Sequence, residues 1–339
     1  MHAFGRKAAR RLDRSRGYIR HRKLCVGCAA FSASGVEQDH EDPPPEMKKR
    51  LLWRVVAAAV AVCFLSVAIS AIVCSVGLDV TTYRVNIDGI ADGVRLVFIS
   101  DLHGKSFGKD DSRLIAKIGE QEPDAVCLVG DMIGSGAGEE DIQALTGLIE
   151  KLCDIAPVFF APGNHELEYM GSYADFSDRM TAAGAVFVND NYADVTVGGQ
   201  PLRIGGTMGH GFYFGRTEEE FRASPEYRFL KDFEDTDIPR ICLAHMPDTF
   251  IFNGAYTLWD VDLVLSGHTH GGLIRLPFVG GLYAPMQGFF PEYDKGYFRL
   301  GDHMQMIITS GLSGHGAVPR INNMPEIAVV DLIPGAQGQ

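Results

Sequence analysis

Between Val55 and Leu78 the chain reads VVAAAVAVCFLSVAISAIVCSVGL, 24 residues without a charge. So long an apolar run satisfies its own backbone only as a helix, and about 20 such residues cross a bilayer. It outlasts the apolar core of a cleaved leader, roughly 7–15 residues. It also lacks the polar face of a helix packed on a soluble core. The residues before Cys74 are not the small ones a lipoprotein cysteine requires, which argues against lipidation. The run reads as a transmembrane signal anchor. Lys48, Lys49, Arg50 and Arg54 precede it and Asp79 follows. The positive-inside rule then leaves the N-terminus in the cytoplasm and everything beyond Leu78 outside.

Charge divides at the same place. Residues 1–54 hold 13 Lys and Arg against 6 Asp and Glu, leaving 18 against 37 for the rest. Residues 1–46 are Arg-rich, then acidic, then Pro43-Pro44-Pro45, with no hydrophobic period, and read as a disordered tail. Residues 47–54 form a basic flank. Met47 opens MKKRLLWRVV, the natural beginning of a signal-anchored protein, so the tail reads as a start-site artefact. The long acidic part repels nucleic acid unless bound cations compensate, and no nucleic-acid partner is expected. The seven cysteines suggest no disulfide framework, and Cys25-x-x-Cys28 has no second pair to complete a zinc site.

Beyond residue 80 short apolar runs alternate with amphipathic stretches. The strand-like runs are Val94–Ser100, Ala125–Val129, Val158–Ala161, Ala185–Val188, Leu202–Gly205, Ile241–Ala244, Leu263–Leu265, Met304–Thr309 and Ile327–Leu332. Ser112–Gln121, Glu139–Leu152, Tyr173–Ala183 and Glu218–Lys231 carry a helical period. Such alternation indicates α/β layers. Gly271–Tyr297, rich in Gly, Pro and aromatics, reads as a long loop or hairpin.

Several strands run directly into Asp, Asn or His, and ligands bind at the carboxyl ends of strands in open α/β sheets. VFISDLHG carries Asp101 and His103, two apart and so on one face. CLVGDMIG carries Asp131, FFAPGNHE carries Asn164 and His165, ICLAHMPD carries His245, and LVLSGHTHGG carries His268 and His270. Together they offer three oxygen ligands and four imidazoles, with His165 to spare. Mixed carboxylate and imidazole ligation suits Mn, Fe or Zn. Seven ligands exceed what one tetrahedral ion needs, whereas two ions about 3.5–4 Å apart sharing a carboxylate account for them.

D-x-H, G-D, G-N-H-E, a lone His and G-H-x-H, in that order, resemble the signature of the calcineurin-like metallophosphoesterases. Ser100–Gly104, Ala244–Asp248, Ser266–Gly272, Leu282–Pro285 and Pro319–Ile327 resemble its bacterial membrane-associated YkuE/YaeI-like subgroup. The resemblance covers roughly residues 80–333. It implies a four-layer α/β/β/α sandwich over 80–335 with two divalent ions at the strand ends, in a single-pass protein of a bacterial cell membrane. It gives one ion Asp101, His103 and His270, the other Asn164, His245 and His268, and makes Asp131 the bridge. His165 becomes the catalytic group near the leaving group. Lys105 departs from the Leu-Gly pair common in relatives.

These readings describe a membrane-anchored phosphoesterase acting on a small-molecule or lipid-like phosphate ester, a phosphodiester by expectation, with metal-activated water. The alternatives are a pyrophosphohydrolase of the UDP-2,3-diacylglucosamine type, a lipid phosphate phosphatase, or a scaffold that has lost catalysis, whose mark would be missing ligands. Arg320 and His210 are candidate substrate-binding residues, with a structural ion pair the competing reading of Arg320 and an ordinary exposed loop histidine that of His210. Glu166 reads equally as a residue orienting its neighbours or as a surface or helix-cap carboxylate.

Overall fold

The computed structural model describes residues 45–169, 173–209, 217–314, 316 and 318–335. The chain divides into two units, residues 1–55 and 56–339. The described part of the first is the opening of helix α1 (Pro45–Val76), where Lys49 pairs with Glu46 one turn before it. Among the described residues α1 is the one helix long and apolar enough to cross a membrane.

The second unit is built on two sheets. In chain order their strands and the hairpins between them are β1 (Asp79–Ile87), β2 (Val94–Ile99), β3 (Ala125–Val129), β4 (Val158–Ala161), β5 (Val186–Phe187), β6 (Asn191–Val197), β7 (Gln200–Thr207), β8 (Arg240–Ala244), β9 (Leu263–Ser266), β10 (Arg275–Leu276), β11 (Gly280–Gly281), β12 (Tyr283–Ala284), β13 (Gly288–Phe289), β14 (Gly296–Leu300), β15 (Met304–Ile308) and β16 (Glu326–Pro334). The helices after α1 are α2 (Ser112–Gly119), α3 (Glu139–Cys153), α4 (Asn164–Leu167), α5 (Tyr173–Ala182), α6 (Glu218–Arg222), α7 (Pro225–Glu234) and α8 (Asp248–Ile251).

One sheet has the order β1-β16-β2-β3-β4-β5 and the other β14-β15-β9-β8-β7-β6. Strands β2 to β5 are parallel neighbours, as are β15, β9, β8 and β7. Because side chains alternate along a strand, each sheet has two apolar faces to cover. Val97, Ile99, Val126, Leu128 and Phe160 meet Leu114, Ile118, Ile142 and Ile149 of α2 and α3. Leu96, Phe98, Cys127 and Phe159 meet Ile204, Ile241, Leu243 and Leu265 of the other sheet. The far face of that sheet packs Cys242, Val264 and Met306 on Phe229, Phe233, Phe250 and Trp259. The layers are therefore α/β/β/α, as the motif order implies. Each of these large side chains contributes about 1.5–3 kcal/mol by leaving water.

Two local differences from the sequence reading have clear causes. The expected helix Glu218–Lys231 is two helices, because Pro225 has no amide to continue the first. Ser224 instead caps the second, its hydroxyl accepting from the Tyr227 amide at 3.2 Å. Strands β1, β6 and β14 escape detection because only one of their faces is apolar; the burial of β1 alternates almost residue by residue.

Glu326 fixes where β16 enters the sheet. Fully buried, it accepts from the Thr309 hydroxyl and the Ser310 amide, both at 2.8 Å, and pairs with Lys295 at 2.9 Å. Burial opposes its charge, but Lys295 and these donors hold the carboxyl below its ordinary value of 4.5. A depressed folded value means stability that is present above 4.5 and lost as pH falls below it. Glu326→Ala should therefore cost about 3–5 kcal/mol at neutral pH. Urea unfolding of both proteins should show the gap narrowing as pH falls through the acidic range; a gap unchanged by pH would mean that the charge plays no part.

Candidate metal centre

Parallel strands place their carboxyl ends along one rim, and here two sheets bring two such rims together. Asp101 and His103 follow β2, Asp131 follows β3, and Asn164 and His165 open α4 just after β4. From the other sheet come His245 after β8 and His268 and His270 after β9. The rims are stitched by backbone: the Asp101 amide donates to Gly130, the Gly267 amide to His245, and the Leu312 amide to Ser100, each at 3.0 Å.

The approach is close enough that a methyl group would not fit. A Cβ on Gly163 would stand 2.3 Å from Asp131 Oδ1, and one on Gly130 would stand 2.6 Å from the Gly163 nitrogen. Five side chains at the rim also sit on left-handed backbone: Asp101, His103, Asp131, His268 and His270, with φ between 48° and 66°. Left-handed residues other than glycine carry a conformational cost and gather at functional sites.

Three overlapping groups result, each with its ligand atoms within 4.8 Å of one another: Asp101, His103 and His270; His103, Asp131 and His165; Asp131, His245 and His268. Asp131 Oδ2 lies 3.2 Å from His245 Nε2, 3.8 Å from His103 Nε2 and 3.7 Å from His165 Nε2. Asp101 Oδ1 lies 3.7 Å from His270 Nε2. The rings of His103 and His270 stack, with centroids 5.2 Å apart.

The other ring nitrogens fix the tautomers. His245 Nδ1 is 2.9 Å from the Val129 carbonyl and His270 Nδ1 is 3.1 Å from the Ser313 carbonyl. A carbonyl only accepts, so both Nδ1 atoms carry hydrogen, which makes Nε2 the atom each ring turns inward and offers to a cation, the arrangement of metal-ligating histidines. The Nε2 atoms of His103, His245 and His268 and Oδ1 of Asn164 are buried and make no hydrogen bond. Unsatisfied buried polar atoms cost about 1–3 kcal/mol each. Four converging around two buried carboxylates fit divalent cations.

Electrostatics agree. Burial opposes charge on His245, but Asp131 outweighs it and holds the imidazolium up at about 10. Burial pushes His103 down to about 4, and burial with the neighbouring His245 pushes His268 to about 3. The two acids thus draw positive charge to the cluster while His103 and His268 stay neutral, as ligands must.

Glu166 is both the cap of α4, through the Gly163 amide, and an orienting residue. It is fully buried, and its carboxylate accepts from four backbone amides: Asp131 at 2.8 Å, Met132 at 2.7 Å, Ile133 at 3.2 Å and Gly163 at 2.6 Å. It thereby ties the turn after β3 to the turn after β4. Ser135, which sequence did not single out, lies 2.8 Å from His165 Nδ1 by its hydroxyl. Arg320 is a correction. Its guanidinium donates to the carbonyls of Ser310, Ser313, Asn323 and Met324 at 2.6–3.0 Å, and it is buried. These backbone acceptors, not a substrate, hold it. His210 lies outside the described residues.

A model of the family described as calcineurin-like phosphoesterase matches residues 94–272. The uncharacterized metallophosphoesterase Cj0846 of Campylobacter jejuni is 30% identical over 262 residues, covering 75% of this chain and 63% of that relative. The uncharacterized metallophosphoesterase YkuE of Bacillus subtilis is 28% identical, covering 71% and 79%, and the phosphodiesterase YaeI of Escherichia coli is 27% identical, covering 70% and 82%. The chain thus spans less than two thirds of the Campylobacter relative's length.

Glu166→Ala leaves four buried amides without an acceptor and frees the two turns that carry Asp131 and Asn164. Stability should fall by about 2–4 kcal/mol, and metal affinity should fall about 10–100-fold, read by denaturation and by metal titration. Unchanged metal affinity would reduce Glu166 to a helix cap.

Proposed function

The chain belongs to the calcineurin-like phosphoesterases, and from that premise we propose that it is a membrane-anchored, two-metal phosphodiesterase. That it is a metal-dependent phosphoester hydrolase follows from the family. The observation that carries the rest is the convergence of four buried, unpartnered ligand atoms on Asp101 and Asp131. Asp101, His103 and His270 would hold one cation, Asn164, His245 and His268 the other, with Asp131 between them. Mn, Zn and Fe suit this mixed set. When bound, such ions supply positive charge to phosphate oxygens and bring the pKa of water toward neutrality.

The residues supply the rest of the reaction. Hydrolysis joins a water oxygen to phosphorus and breaks the bond to the leaving alcohol, which needs a proton. His165 stands at the rim of a cleft of about 400 Å³ that Ser135 and Ser313 also line. Its Nδ1 is steadied by Ser135, leaving Nε2 to deliver that proton. Glu166 and the glycine turns keep Asp131 in place while charge moves. The preference for diesters draws on the name of YaeI.

Asp131→Asn keeps the shape of the bridge and removes its charge. Metal content should drop below two per chain and turnover of bis(4-nitrophenyl) phosphate should collapse. His165→Gln should keep both metals yet slow alkyl diesters about 10²–10⁴-fold, with little effect on a nitrophenolate that leaves without a proton. Loss of metal from the His165 variant, or equal slowing of both leaving groups, refutes the proton-donor role.

The anchor reading rests on α1, and its orientation on Lys48, Lys49, Arg50 and Arg54 before the apolar run. Protease added to intact spheroplasts should digest the part after Leu78. Full protection of that part would reverse the orientation.

A further inference from the structure

The cleft beside His165 does not end at the metal centre. Ser313, Gly314 and Gly316 line it and also line a second cleft of about 250 Å³. That second cleft is also lined by α1 itself, through Ala71, Cys74 and Ser75, and by Lys105 and Arg320. A passage therefore runs from the candidate centre to the side of the apolar helix.

What surrounds the helix at this level is unusual for an acidic domain. Arg113 donates to the Val76 carbonyl at 3.1 Å and Lys117 to the Leu78 carbonyl at 2.8 Å, so cations sit where the helix ends. Asn322 reaches further back along the apolar run: its amide donates to the Ser70 hydroxyl at 2.7 Å, and its side chain donates to the Arg275 carbonyl at 3.2 Å. Arg275 begins the β10–β11 hairpin, whose tip, Phe278, follows three residues later and at most about 10 Å away.

Phe278 is fully exposed and Val279 is 61% exposed. Phe278, Met286 and Phe290 all have left-handed backbone, with φ of 66°, 63° and 57°. Turns facing water fill such positions with Gly, Asn or Asp, because bulky side chains there are strained. Here large apolar side chains occupy all three, and all three are exposed. Exposed apolar patches of this kind mark interaction surfaces. Through Arg275 and Asn322 the hairpin that carries Phe278 is tied to the apolar run, and cations bind where that run ends, a combination that suits a bilayer surface: an apolar tip for the acyl boundary, Lys and Arg for anionic headgroups.

We propose that this face rests on the bilayer and that the substrate is an amphiphile, a phosphate ester whose head reaches the centre through the paired clefts while its alkyl chain remains in lipid. The inference rests on the phosphoesterase reading above.

The test uses the full chain in vesicles of phosphatidylcholine and phosphatidylglycerol, with hexadecyl 4-nitrophenyl phosphate compared against ethyl 4-nitrophenyl phosphate. If the enzyme turns over only monoesters, hexadecyl phosphate against ethyl phosphate makes the same comparison by phosphate release. The long-chain ester should have a kcat/KM about tenfold or more above the ethyl ester. The double variant Phe278→Asp, Val279→Asp should erase that advantage and leave the ethyl ester untouched. Enrichment of the long chain in lipid survives in the variant, so loss of the preference isolates docking. Equal rates for the two esters, or a preference that outlasts the variant, overturn the proposal. So does a change in oligomeric state in the variant with the preference intact, which assigns the patch to a second copy. No hydrolysis of any ester by the metal-loaded enzyme overturns the phosphoesterase reading itself.

Discussion

Two carboxylates, Asp101 and Asp131, are held almost without solvent at the ends of neighbouring strands. Charges so placed are costly unless paired and hydrogen-bonded. Much of the surrounding structure answers that demand. Asp101 accepts from the His268 amide and Asp131 from the His165 amide, at 3.1 and 2.9 Å. The remaining demand is met only by positive charge, and the cluster is shaped to attract it.

Holding the acids in position requires a stiff frame, and the frame is mostly backbone. Glu166 gathers amides from two turns, and Arg320 gathers carbonyls from the segment between β15 and β16. One is a buried anion organising donors, the other a buried cation organising acceptors. Neither needs to touch substrate for its loss to be felt there. Left-handed residues at the rim add a strain that only a well-packed surround can sustain.

Much of this was legible in the sequence. Buried strands such as Ala125–Val129 and Val158–Ala161 announce themselves by continuous apolar runs, and the polar residues that follow them mark the rim. The structure brings six of the seven expected ligand side chains into overlapping groups and leaves the Asn164 oxygen beside them without a partner. Other features depended on three-dimensional partners. Arg320 looks like a phosphate binder until Ser310 and Met324 are seen to enclose it. The orienting role of Glu166 stayed open because three of its four donors come from residues 131–133, some thirty positions away. Strands β1 and β6 hide because half of each faces water. The split at Ser224-Pro225 was written in the chain, but the helical period on both sides masked it.

The position of β16 has a consequence for how the protein comes into being. This strand, Glu326–Pro334, lies between β1 and β2, pairing with β1 in parallel and with β2 in antiparallel register. A ribosome delivers β1 and β2 some 230 residues before it delivers the strand that separates them. Until then the two early strands have a gap where a neighbour belongs, and an apolar face stays open. Final assembly must wait for β16 to emerge, because such distant pairings form late and slowly. During that interval the half-built sheet is an invitation to aggregate.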